Sequence, residues 1–179
     1  MANIIIVNQD YQNEDAIYDT INYVFGSEYY QYSGAVGLLW YPSLRQCQTD
    51  KVLGVNEIDS NIKYLADSFR AVKTAYNKLD GQQVVHIVVG FECKDIMNPT
   101  LAYIFAERFA NYIGQRFQVI YGVHQGSDYS KYYLHVHFII NTISYVDGNR
   151  FYDRRGNYYD LGNAAKEIMP NAKWNVYKK

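Results

Sequence analysis

Residues 132–141 read YYLHVHFIIN, and two of the chain's four histidines, His135 and His137, stand here with one apolar residue between them. Side chains alternate faces along a strand. Leu134, Val136, Phe138 and Ile140 then form an apolar face, while Tyr133, His135, His137, Ile139 and Asn141 share the other. A third histidine, His124, ends the run FQVIYGVH at 117–124, where Gln118, Ile120 and Gly122 share its face. If the two runs pair through the loop 125–131, His124 arrives on the side of the His-Val-His pair, and Gly122 leaves space beside it. Three neutral imidazoles meeting at one point make a metal site with open coordination positions. A lone strand histidine is ordinarily structural. His86, in QQVVHIVVGFE at 82–92, is read that way, as a hydrogen-bonded sheet histidine.

Elements able to hold such a site are legible along the chain. NIIIVN at 3–8 reads as a short buried strand. Residues 13–25 read as a helix with Asn13 as N-cap, Glu14 and Asp15 in the first turn, Gly26 as the stop, and Ile17, Ile21, Val24 and Phe25 as its apolar stripe. AVGLLWY at 35–41 is a candidate strand, and 56–79 a long helix with Ile58, Ile62, Leu65, Phe69 and Val72 on one stripe. The β-branched run 82–92 reads as a central strand. Residues 98–115 read as a helix with Asn98 as N-cap and Pro99 at its first position. Strands over 117–124 and 132–145 follow, then turns or a hairpin over 147–160 and a short helix from Asn163 to Met169. The order predicts an α/β two-layer sandwich with a largely antiparallel central sheet that carries the histidine motif. The last two strands, joined by a short loop, should be antiparallel neighbours.

The chain has 179 residues, enough for a single domain with a real core. No apolar run approaches a bilayer span, and the start MANIIIVNQD lacks the pattern of a signal peptide. Cys47 and Cys93 match no metal or redox spacing and are read as small buried hydrophobes, which with the absent leader points to the cytoplasm. A net charge of −1 argues against a broad basic surface. The 20 tyrosines suit base stacking and ordinary strands alike.

The motif His-hydrophobic-His, followed by three apolar residues and Asn with a further histidine upstream, resembles the metal motif of conjugative relaxases, the mobilisation nucleases of plasmids and integrative elements. HIVVGFECKD resembles that family's middle strand. TLAYIFAERFANYIGQRFQVIYGVH resembles the helix and strand that lead to its first metal histidine, and TISYVDGNRF the segment after the motif. DTINYVFGSE resembles the first motif, where a helix ends in the nucleophilic tyrosine. The resemblance runs over about residues 5–165. It departs at Gly126, where many relatives carry a carboxylate, and at Gly90, where a serine is common.

The resemblance implies a single nicking domain over 1–179, the whole of a small relaxase or the N-terminal part of a longer one. It maps Tyr23 onto the nucleophile and His124, His135 and His137 onto the ligands of a divalent ion, Mg²⁺ or Mn²⁺; the imidazoles alone would also accept Zn²⁺. The implied reaction is strand-specific transesterification on single-stranded origin-of-transfer DNA, leaving a 5′-phosphotyrosine link and a 3′-hydroxyl, with accessory relaxosome proteins as partners. On the helical wheel Tyr23 lies about 160° from Ile21 and is not needed for the core stripe, whereas Tyr18 flanks it. Arg150, Arg154 and Arg155, interleaved with Phe151, Tyr152 and Tyr158, could contact phosphates and stack on bases. The bland reading of that stretch is a solvated hairpin. Two other functions share the histidine strand: a rolling-circle replication initiator or single-strand transposase whose tyrosine follows the motif (Tyr152, Tyr158 or Tyr159 here), and a non-catalytic module that binds DNA or a partner protein.

Overall fold

A computed structural model describes residues 1–7, 9–25, 30–36, 55–92, 98–125, 134–151 and 155–179. The expectations for Cys47, Cys93, Tyr152 and Arg154, and for residues 37–41 of the candidate second strand, lie outside the described residues, as does Gly126. In chain order the elements are β1 (Ala2–Ile6), α1 (Ala16–Phe25), β2 (Tyr30–Val36), α2 (Val55–Ala75), β3 (Val84–Phe91), α3 (Pro99–Gly114), β4 (Phe117–Gln125), β5 (Leu134–Ser144), α4 (Arg155–Ile168) and β6 (Trp174–Lys178).

One sheet runs β2-β4-β5-β3-β1-β6. Among the described strands only the β1–β6 pair is parallel; the others are antiparallel, including the predicted β4–β5 neighbours. The expected α/β fold, with a largely antiparallel sheet and helices packed on it, is what forms. Helices cover both faces. Leu134, Val136, Phe138 and Ile140 of β5, with Phe91, Val119, Tyr121 and Val123, pack against Phe105 and Phe109 of α3 and Leu161 and Ala165 of α4. On the other face Ile120, Ile139 and Val84 meet Ile17, Ile21 and Val24 of α1 and Leu65, Ala66 and Phe69 of α2. The layering exceeds two because β3, β4 and β5 are buried on both sides along nearly their whole length.

Local signals act as the sequence indicates at α3, where the Asn98 side chain accepts from the Thr100 N–H at 2.8 Å and Pro99 opens the helix. α1 starts later than Asn13: a turn in which the Ala16 N–H donates to the Asn13 carbonyl precedes it. Two segments correct the sequence reading. Part of the stretch expected as turns or hairpin belongs to α4, which begins at Arg155 rather than Asn163, because Leu161, Ala164 and Ala165 make a buried face. The closing strand β6 was not expected; its Trp174 and Val176 pack beside the α3–α4 core.

Polar side chains fasten α2 to the sheet. Asn141, fully buried, donates to the Phe69 carbonyl and to Gln118 Oε1, and Gln118 donates to Ser68 Oγ. Each is a buried polar group with its partners supplied, as burial requires.

Candidate active site

The site begins with register. His135 pairs with His124 across β4–β5, and His137 pairs with Gly122. Paired residues share a face, so the three imidazoles stand together on the α1–α2 side. Their ring centroids lie 4.5 Å (His124–His137), 5.0 Å (His135–His137) and 5.4 Å (His124–His135) apart. Each offers one ring nitrogen, and these atoms all lie within 4.8 Å of one another.

Their electrostatics suit a cation. Burial drives the His137 imidazolium well below the usual histidine range, with His86, His124 and His135 adding to the effect. Burial also lowers His124, partly offset by its bond to the Val24 carbonyl. Both rings are therefore neutral near pH 7, the form that has a lone pair to give. His137 Nε2 is sealed from solvent and has no hydrogen-bond partner among the described residues. An orphaned buried nitrogen among two other imidazoles is what a metal-binding donor set leaves before the ion arrives, and the residues present fit a divalent cation.

α1 brings the tyrosine. Its core stripe is Ile17, Ile21, Val24 and Phe25, which turns Tyr23 outward at 61% exposure. The Tyr23 ring nevertheless lies 5.5 Å from that of His137 and 6.1 Å from that of His86, both edge-on. Tyr18 instead packs on the α1–α2 core. Two contacts hold the end of α1 at the sheet. His124 Nε2 is 2.7 Å from the Val24 carbonyl, one of the last carbonyls of the helix, which otherwise lack intrahelical partners. Because a carbonyl only accepts, Nε2 carries the His124 proton. Beneath, Gly122 lets the helix approach: a Cβ there would stand 2.6 Å from Val24 Cγ1.

Sequence reasoning missed two residues here. Tyr11 Oη lies 3.0 Å from His86 Nδ1, and His86 Nε2 lies 2.8 Å from His137 Nδ1. Burial, then the neighbouring Tyr23, pushes the Tyr11 hydroxyl up to about 12, so Tyr11 stays a phenol. The face alternation of β3 could have shown His86 beside the motif; nothing in the sequence ties Tyr11 to it. Tyr11, Tyr23, His86 and His137 line an open pocket of about 510 Å³, with Asp10 and Asp19 on its walls.

A family model for the nuclease domain of MobA/VirD2-like relaxases matches residues 42–174. The chain belongs to the MobA/VirD2-like relaxase family. The matched span holds all four histidines and starts after Tyr23. Protein rlx of Staphylococcus aureus is 25% identical over 111 residues, 62% of this chain and 32% of rlx. The chain thus spans about a third of the length of that relative. Of the remaining expected residues, Arg150 and Arg155 are among those described. Arg150 is bridged to Ile143 and gives its guanidinium to the Asp80 carbonyl and carboxylate. Ile143 lies six positions beyond His137 on β5, about 20 Å along a strand. Arg155 opens α4. Among the described residues no helix is long and apolar enough to cross a membrane.

Proposed function

We propose that this relaxase domain nicks single-stranded origin-of-transfer DNA by metal-dependent tyrosine transesterification, with Tyr23 as nucleophile and His124, His135 and His137 as ligands of Mg²⁺ or Mn²⁺. The observation that carries the reading is the exposed Tyr23 ring 5.5 Å from His137, at the rim of a triad of imidazoles of which His124 and His137 are buried. A divalent ion bound there supplies Lewis-acid stabilisation of charge on the scissile phosphate's non-bridging oxygens.

The chain's own residues supply the rest. Tyr23 Oη forms a bond to phosphorus while the bond from phosphorus to the 3′-oxygen breaks. The phenolic proton is released and the departing 3′-oxygen takes one up, so a phosphodiester is exchanged for a 5′-phosphotyrosine and a free 3′-hydroxyl. The covalent link keeps the bond energy for later resealing. The His124–Val24 bond and the Gly122 approach keep the attacking residue over the triad, the positional contribution that enzymes draw on heavily. The role so defined is initiation of conjugative transfer, together with accessory relaxosome proteins.

One observation weighs against the replication-initiator reading. Tyr158 and Tyr159 are on α4, which packs on the sheet face opposite the histidines. The experiment is incubation of the protein with end-labelled single-stranded origin DNA and Mn²⁺, followed by detergent electrophoresis and peptide mapping. An adduct on Tyr23 is the expected result. An adduct on Tyr152, Tyr158 or Tyr159 moves the protein to the initiator class, and no adduct with intact binding leaves a DNA-binding module.

A further inference from the structure

His86 has two nitrogens and both are engaged, one toward Tyr11 and one toward His137. The contact to His137 is a hydrogen bond between two ring nitrogens, so one of them must carry the proton. If His86 Nε2 carried it, His137 Nδ1 would accept, and the single proton of a neutral His137 would sit on Nε2. That atom is buried and has no hydrogen-bond partner among the described residues. A buried N–H with no partner is costly, and it would close the ring to a cation. If His137 Nδ1 carries the proton, it donates to His86 Nε2. His86 then bears its own proton on Nδ1 and donates to Tyr11 Oη, which a phenol can accept. Every N–H in the row is satisfied, and the one lone pair left over is His137 Nε2, beside His124 and His135.

We propose that His86, backed by Tyr11, is a positioning residue that sets the tautomer and ring angle of His137, so that Nε2 is the atom turned to the cation. The inference rests on the reading that the triad holds a metal. An imidazole here does the work that a carboxylate or backbone carbonyl commonly does behind a metal-binding histidine. A neutral partner adds no charge behind the ligand, whereas a carboxylate would. Burial keeps His86 uncharged, pushing it down to about 4.

The test has two readouts besides cleavage. In metal-free protein near pH 7, ¹⁵N spectra of the histidine rings should give His137 the proton on Nδ1 and a bare Nε2. The reverse assignment overturns the proposal, and this measurement needs no variant. Mn²⁺ affinity is then compared across variants by calorimetry. His86→Leu, which cannot accept, should weaken binding by about 10- to 100-fold. His86→Gln puts an amide oxygen near the place of Nε2 and should restore affinity to within about threefold of the native protein, a rescue a purely space-filling role does not predict. Tyr11→Phe should fall between. Equal affinity in the Leu and Gln variants overturns the proposal. If native protein shows no Mn²⁺ binding, the metal reading fails by itself, while the ¹⁵N assignment still decides whether His86 sets the tautomer.

Discussion

Tyr11 and Tyr23 both reach the histidine cluster, and their surroundings divide the work. Tyr11 is held by His86 and stays protonated, its ionisation opposed by burial and by Tyr23. Tyr23 is exposed on the far side of the core stripe. Tyr23→Phe removes only a hydroxyl, so DNA binding should survive while the covalent adduct disappears, which gel shift and detergent electrophoresis read in parallel. An adduct that persists and maps to Tyr11 or Tyr18 would reassign the nucleophile. His137→Ala removes a donor and leaves His86 Nε2 unpaired. Cleavage with Mn²⁺ should drop by about 100-fold or more, with a stability loss of roughly 1–3 kcal/mol. Global unfolding of that variant, followed by circular dichroism, would mark the histidine as structural.

At the scale of elements, the site depends on how closely α1 lies on β4. Val24 has a stiff β-branched side chain on the helix, and a Cβ at Gly122 would stand 2.6 Å from its Cγ1. Gly122→Ala should cost about 1–3 kcal/mol by overpacking. It should also slow cleavage more than it weakens Mn²⁺ binding, because it shifts Tyr23 relative to the triad while the β4–β5 pairing stays. Denaturant melts and calorimetry beside a cleavage assay separate the two. A variant with native cleavage and lowered stability would show that the approach matters for packing alone. α4 is the other informative element. It removes Tyr158 and Tyr159 to the opposite face, so Tyr159→Phe should leave adduct formation unchanged.

At the scale of the molecule, one buried charge sets a pH dependence. Lys73, fully buried in the last turn of α2 and hydrogen-bonded to Thr142, is lowered to about 8 by burial and then by Arg150, with Asp80 opposing. The folded state therefore binds fewer protons than the unfolded state between about pH 8 and 10.5, and this group's contribution to stability rises with pH across that window. Below pH 8 the cost is present in full. Tyr11 acts in the opposite sense above its unfolded value near pH 10. Comparison with Lys73→Met cancels Tyr11: the gap between variant and native protein should shrink by as much as roughly 3 kcal/mol from pH 8 to 10.5. A constant gap in urea melts would refute it. A net charge of −1 also makes DNA binding modestly salt-dependent, with each phosphate contact contributing a slope of about −0.7 on single strands. Arg154→Ala with Arg155→Ala should weaken binding uniformly across sequences; unchanged affinity would take both out of the DNA path.

What the sequence determined by itself is mainly periodic. Alternation in LHVHFIIN put His135 and His137 on one face, and the same count in FQVIYGVH put His124 with Gly122, because a strand repeats every two residues whatever it packs against. The stripe of α1 turned Tyr23 away from the core for the same kind of reason, and Asn98-Pro99 started α3 by local hydrogen bonding. Composition hid α4, whose Arg155, Gly156 and Asn157 read as a turn until Leu161, Ala164 and Ala165 find a core to bury against. The five-residue β6 carries no pattern strong enough to stand alone and exists because β1 has a free edge to pair. The tertiary structure alone decided which faces meet. β3 lying beside β5 turned a sheet histidine into His137's partner, and the return of the chain before α1 put Tyr11 behind it, 75 residues away in sequence. Such contacts depend on strand order and on the path of connections, and neither leaves a mark in the local periodicity of the segments that meet.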